Sequence, residues 1–239
     1  MRRVANGPGI PGAPLQWATA GFPSNGKLGR LEIIELFTLA ASLNGMNSSA
    51  SGTGATFTDD ETESGRIGIA NCRTGTTTTG RAGVISRADT VLFGGGRHRI
   101  RWDTKAAHLS DGTDTLTDRL GFLDSISGEP TDGCYFRYTH GTNSGKWEAV
   151  TRAAGVETAT DTGIAASTNW VCFEIEVNAA GTSVVFYING SVVATNTTNI
   201  PTGGNRTGFG AGVIKSAGTN DREFRLDTMA YSFEPTSPL

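Results

Sequence analysis

Apolar side chains along this chain recur at every second position in short bursts, the period of a strand with one buried face. Val171, Phe173, Ile175 and Val177 fall on one side of an extended segment, with Cys172, Glu174 and Glu176 on the other. Val184, Phe186 and Ile188 repeat the pattern against Val185 and Tyr187. Between Ile188 and Val192 an Asn189-Gly190 pair separates two apolar runs, the signature of a tight hairpin. The same reasoning predicts strands at 65–71, 81–86, 97–103, 119–124, 134–139, 146–152, 170–178, 183–189, 191–195, 207–215 and 222–234. Residues 31–37 fit a strand or a short helix, and their brevity and β-branched content favour the strand. Asn, Ser and Gly crowd residues 44–56, which predicts a loop. Many short strands with hardly a helix predict an all-β fold of antiparallel strands in a two-sheet sandwich.

Composition supports that class. The 33 glycines and 33 threonines favour strands and turns over helix. A length of 239 residues accommodates one large β domain or two small ones. With 37% apolar and 8% aromatic residues, the chain is not intrinsically disordered. Cys72, Cys134 and Cys172 are an odd number, which excludes a full disulfide framework, and none forms the CxxC pair usual for zinc. The opening residues lack the apolar core of a secretory signal, and the run 31–41, broken by Glu32 and Glu35, is too short to span a membrane. The expectation is a protein made in a cytoplasm, with free thiols and no membrane partner.

Charge then divides the chain. A net charge of −3 excludes a uniformly basic nucleic-acid coat. Yet residues 1–30 carry Arg2, Arg3, Lys27 and Arg30 with no acid, giving +4 against −7 for the remainder. The same leader holds Pro8, Pro11, Pro14 and Pro23, which favour extended backbone and forbid a regular helix. Its Ile10, Leu15, Trp17 and Phe22 suit apolar anchors, either on the chain's own body or on a neighbouring subunit. The division expected is a basic docking arm (1–30), a β-sandwich (31–235) and a short tail (236–239).

The segment from Gly145 to Pro201 carries a tryptophan strand, a Thr-Asp-Thr-Gly turn, a Trp-led strand, then Phe-Tyr-Ile-Asn-Gly and Ala-Thr-Asn-Thr-Thr-Asn-Ile-Pro. It resembles the laminin-G or concanavalin A-like jelly roll. Its wording is more narrowly similar to structural proteins of tailed-phage virions, of the tail-fibre and head-decoration kinds. The segment from Phe224 to Tyr231 resembles that family's closing strand, so the likeness covers roughly residues 131–233. It implies a concanavalin A-like jelly-roll sandwich without catalytic activity or cofactor, used for assembly, surface display or glycan binding. The partners implied are other virion proteins, capsid or tail, in a homo-oligomer with a trimer as first expectation. A host surface glycan is the alternative ligand. The implied location is the virion, after synthesis in the host cytoplasm.

Candidate chemistry is sparse. Glu174 and Glu176 share one strand face, the geometry a two-carboxylate glycosidase needs, but Ala179 stands where laminarinase-like enzymes place a third acid. They read as an ordinary solvent-facing pair. His98, His108 and His140 have no Gly-x-Ser-x-Gly partner, and His98 shares its face with Ile100 and Trp102. The acidic runs at 59–63 and 111–118 lack the regular spacing of a calcium loop and read as solvated loops, so no metal is expected. Arg97, Arg99 and Arg101 alternate along one strand face, ready for an acidic partner or for a glutamate-bearing neighbour such as the Glu174–Glu176 strand. For glycan binding, the candidate platforms are Tyr135, Trp147 and Trp170, all on strand positions where core packing competes.

Overall fold

The computed structural model describes residues 30–37 and 45–237. Fifteen strands run through them: β1 (Leu31–Glu35), β2 (Asn47–Ser51), β3 (Thr56–Glu61), β4 (Ile69–Arg73), β5 (Arg81–Ile85), β6 (Gly96–Ala106), β7 (Thr115–Leu123), β8 (Gly133–Thr139), β9 (Lys146–Ala153), β10 (Val156–Ala165), β11 (Trp170–Val177), β12 (Val184–Ile188), β13 (Ser191–Asn196), β14 (Gly208–Ala217) and β15 (Glu223–Pro235). No α-helix occurs among the described residues. One sheet has eight strands, in the order β13-β12-β11-β6-β15-β4-β3, with β1 also lying against β15. The other has seven, in the order β10-β9-β8-β7-β14-β5-β2. Adjacent strands pair antiparallel, making the two-sheet jelly-roll sandwich that the alternation implied.

Alternation determines what each face carries. On β6, His98, Ile100, Trp102, Thr104 and Ala106 turn inward and are buried. Arg97, Arg99 and Arg101 are left on the outer surface. On β11, Phe173, Ile175 and Val177 turn inward, and Cys172, Glu174 and Glu176 outward. The inner faces meet through packed aromatics: Phe173 lies 4.9 Å from Phe136 and 4.6 Å from Trp147, centroid to centroid. Each such buried ring contributes roughly 2–3 kcal/mol of transfer free energy. The hairpin between β12 and β13 turns at Asn189 (φ 50°) and Gly190 (φ 80°), the left-handed pair that a two-residue turn requires.

The chain departs from the sequence pattern in four places. β2 and the start of β3 occupy part of the stretch read as a loop; β2 is the edge sequence NSSAS, nearly all exposed, so no apolar alternation marks it. β10 is likewise a polar edge strand, held by register to β9 rather than by burial. The Thr160-Asp161-Thr162-Gly163 run is no chain-reversing turn. It lies within β10, where the register shifts between Asp161 and Ala165, and Asp161 Oδ1 accepts the Gly163 N–H at 2.8 Å. The strand read at 65–71 falls at Ile69–Arg73.

Candidate functional site

The outer face of the eight-stranded sheet holds the arginine row. Antiparallel register sets Arg101 opposite Glu174 and Arg99 opposite Glu176. Arg99 reaches diagonally, however, and its Nη2 lies 2.5 Å from Glu174 Oε1. Arg97 is held by Glu234, with Nη2 and Nε at 2.6 and 3.2 Å from one carboxylate oxygen. Arg101 is left with Asp103 on its own strand, at 3.2 and 3.4 Å. The row therefore meets the glutamate-bearing strand, as one of its two readings required. The two-carboxylate pair is strapped by guanidinium groups on the same surface.

Beside this row lies a cleft of about 420 Å³, lined by Arg99, Arg101, Cys172, Glu174, Tyr187 and the Asn189–Gly190 turn. The turn is tied to β11 by reciprocal bonds: Cys172 N–H donates to Asn189 Oδ1 at 3.0 Å, and Asn189 N–H to the Cys172 carbonyl at 2.8 Å. Burial, reinforced by Asp103, pushes the Cys172 thiol up to about 11, so it is neutral at physiological pH. The cleft offers guanidinium, phenol and carboxamide donors around one carboxylate that is already engaged.

The middle of the outer face of the seven-stranded sheet is covered. The connection from β7 to β8 curls back over it, and Ile126 packs with Leu123, Tyr135 and Val150 in a small second core. Glu129 latches this loop. It accepts from the Tyr135 hydroxyl at 2.6 Å and from Arg137 Nη1 at 2.9 Å, and it pairs with Arg119. Arg137 continues to Glu148 and Glu157, each at 2.9 Å, and Arg152 shares Glu157. Burial opposes ionisation of Glu129, yet Arg119, Tyr135 and Arg137 together hold its carboxyl below the ordinary value.

The other candidates find structural duties. Trp147 is buried between the sheets, and Tyr135 is buried beneath the β7–β8 loop. Trp170 keeps partial exposure, but its indole N–H donates to Glu63 at 3.0 Å and Arg66 sits 4.0 Å above its ring. His98 is buried, with Nδ1 2.9 Å from the Tyr231 hydroxyl, and burial lowers its pKa to about 4. Asp111 folds onto the Thr113 and Asp114 N–H groups and pairs with Arg222, which also holds Asp114. Asp118 is not in that loop: it points into the core with both carboxylate oxygens unpartnered. No cluster able to hold a metal occurs among the described residues. Of the arm residues, Arg30 is described and pairs with Glu32 at 2.6 Å; Arg2, Arg3, Ile10, Leu15, Trp17, Phe22 and Lys27 lie outside the described residues.

Comparison with known families matches the SO2946-like C-terminal domain over residues 65–227. The chain belongs to this SO2946-like family. Among solved structures it is similar to SO2946 of Shewanella oneidensis MR-1, a protein of unknown function, with a TM-score of 0.63, 12% identity and 87% of each chain covered. It is also similar to a Bacillus licheniformis β-glucanase (TM-score 0.53, 12% identity, 84% of this chain and 97% of that one). A third is the carbohydrate recognition domain of Emp46p in its potassium-bound form (TM-score 0.53, 10% identity, 82% and 93% covered). No curated protein matches. At these identities the likenesses establish the concanavalin A-like fold of this SO2946-like chain and nothing of its chemistry. The pattern had not singled out Glu129, Arg119, Arg137 or Tyr187; Arg137 and Glu148 show as a cross-strand pair only once β8 and β9 are in register.

Proposed function

We propose that this chain is a non-enzymatic structural component of a tailed-phage virion, displayed on the particle surface and docked through residues 1–30. One observation carries the reading. β1 follows the basic leader directly and is paired along its whole length with β15, while Arg30 bridges Glu32 and Glu234. The leader thus departs from a fixed point on a rigid sheet, as a docking arm must. With Arg30 engaged on the sheet, the leader's Arg2, Arg3 and Lys27 and its apolar residues suit an acidic, apolar-pocketed surface on a capsid, tail or sister subunit. Guanidinium groups on Glu174, Glu129, Glu148 and Glu157 support the absence of catalysis, because a retaining glycosidase needs one acid free to attack and another to donate a proton. The test is incorporation: particles assembled with full-length chain should contain it, and a version lacking residues 1–30 should fold yet stay off them. Equal incorporation of both would overturn the reading.

A second reading, recognition of a host surface glycan, is favoured by the open cleft beside Arg101. The Emp46p domain, a carbohydrate recognition domain, is similar in fold. Binding of any host polysaccharide by the isolated chain tests it.

A further inference from the structure

We propose that the cleft beside the Asn189–Gly190 turn binds an anionic saccharide, with Arg101 receiving its acidic group. The inference rests on the glycan-recognition reading and narrows it to a ligand class.

The three arginines of the row differ in what each has left to give. Arg97 spends two nitrogens on Glu234, and Arg99 makes a short bond to Glu174. Among the described residues Arg101 has only the longer contacts to Asp103, through a single nitrogen, while its side chain remains 52% exposed. A guanidinium carries five N–H donors in a planar fork suited to a carboxylate or an oxyanion ester, so Arg101 keeps most of that capacity. Its position is set by rigid elements, β6 and β11, rather than by a loop.

The remaining lining completes the chemistry. Asn189 commits its Oδ1 to the Cys172 N–H, which fixes the carboxamide and leaves its NH₂ group for an outside acceptor. Tyr187, directly opposite Glu174 in the register, adds an aromatic ring and a hydroxyl. Glu174, the carboxylate among the lining residues, is paired with Arg99, the Cys172 thiol is uncharged, and Asp103 at the edge is held by Arg101. The lining itself thus sets two guanidinium groups against one carboxylate and favours an anion. A pocket rich in donors and poor in free acceptors selects a ligand rich in acceptors. A sugar ring with its hydroxyl oxygens and one acidic substituent meets that requirement. The volume falls within the roughly 300–1,000 Å³ of small-molecule clefts.

Cys172 supplies a reporter, since Cys72 and Cys134 are buried and it alone is partly accessible. The full chain is titrated calorimetrically against a panel of uronate-, sialate- and sulfate-bearing oligosaccharides, each beside its neutral counterpart; trigalacturonate and its methyl ester are the defining pair. In parallel, iodoacetamide labelling of Cys172 is timed with and without each sugar. The expected result is at least tenfold tighter binding of an acidic member than of its neutral counterpart, with slowed labelling. Arg101→Gln should erase that preference while leaving the melting temperature unchanged, because the side chain is half exposed. Carboxylate-only binding identifies uronate or sialate as the source, and equal binding of sulfates identifies an anionic group in general; either upholds the proposal. Equal affinity for acidic and neutral members, or a preference that survives Arg101→Gln, overturns the proposal while glycan recognition stands. No binding and no protection across the panel overturns both.

Discussion

The two sheets of this sandwich treat their outer surfaces in opposite ways. Both carry arginines facing glutamates across neighbouring strands. On the eight-stranded sheet these pairs stand in the open: Arg97, Arg99 and Arg101 have side chains about half exposed, and one of them is loosely held. On the seven-stranded sheet a loop has folded down, and Arg119 and Arg137 are 11% and 13% exposed around the Glu129 carboxylate. The difference teaches where each network acts. Exposed pairs are worth little to stability and remain free to exchange partners, whereas a covered network is costly to break and holds its loop shut. The inner faces differ too, since the first sheet buries a histidine, His98, and the second an unpartnered aspartate, Asp118.

The sharpest way to break the comparison is Glu129→Ala. It leaves the largely buried Arg119 guanidinium and the Tyr135 hydroxyl without their carboxylate, while Arg137 keeps Glu148 and Glu157, and should cost about 3 kcal/mol in urea unfolding. Amides of the β7–β8 loop should lose hydrogen-exchange protection at the same time. A loss below about 1 kcal/mol would mean the loop is held by Ile126 alone.

The next effect is of pH. His98 has a folded pKa near 4, below the ordinary 6.5, so the unfolded chain binds the extra proton first. The stability that neutral His98 permits is complete above pH 6.5 and drains away as pH falls towards 4, by about 3 kcal/mol. A His98→Gln variant should show a flatter stability profile across that window. Asp118 has the opposite sign. Burial raises its carboxyl well above the ordinary 3.8, against a smaller pull from Arg119, with the Cys72 thiol as a further neighbour. Its stability contribution is therefore full below pH 3.8 and declines as pH rises. Replacement by a similar-sized apolar side chain, Asp118→Leu, should raise stability at pH 7 by about 2 kcal/mol, read from the denaturation midpoint. Destabilisation instead would show that the carboxyl has a partner in solution.

The smallest effect belongs to the open face. Glu174→Gln should change stability by less than about 1 kcal/mol and leave the fold intact, since the pair with Arg99 is exposed on one side. A loss comparable to that of Glu129→Ala would erase the distinction between the faces.

How legible all this was depended on burial. Strands with one apolar face, such as β6, β11 and β12, were plain because their inward positions must be hydrophobic, and the pairing of the arginine row with the glutamate strand followed from the same alternation. β2 and β10 were hidden because edge strands bury little and are held by backbone bonds that any sequence makes. Asp118 was misjudged with its acidic neighbours: a carboxylate was expected in water, yet its position in β7 turns it inward beside Leu116 and Leu120. The Glu129 network was beyond reach, since the glutamate lies on a connection without periodicity and meets its arginines only after the sheet has formed. Tyr135 and Trp147, candidate sugar platforms by sequence, are buried because their strand positions turn them into packed interiors.

The place of β15 has a consequence for how the protein is made. It is an interior strand of its sheet, bonded to β6 on one side and to β4 and β1 on the other. β1 pairs with residues some two hundred positions away, so it has no partner strand until that distant segment has been made. Only when residues up to Phe233 have left the ribosome can β1 pair along its length. Among the described strands, the first to be synthesised is thus among the last to take its place in the sheet.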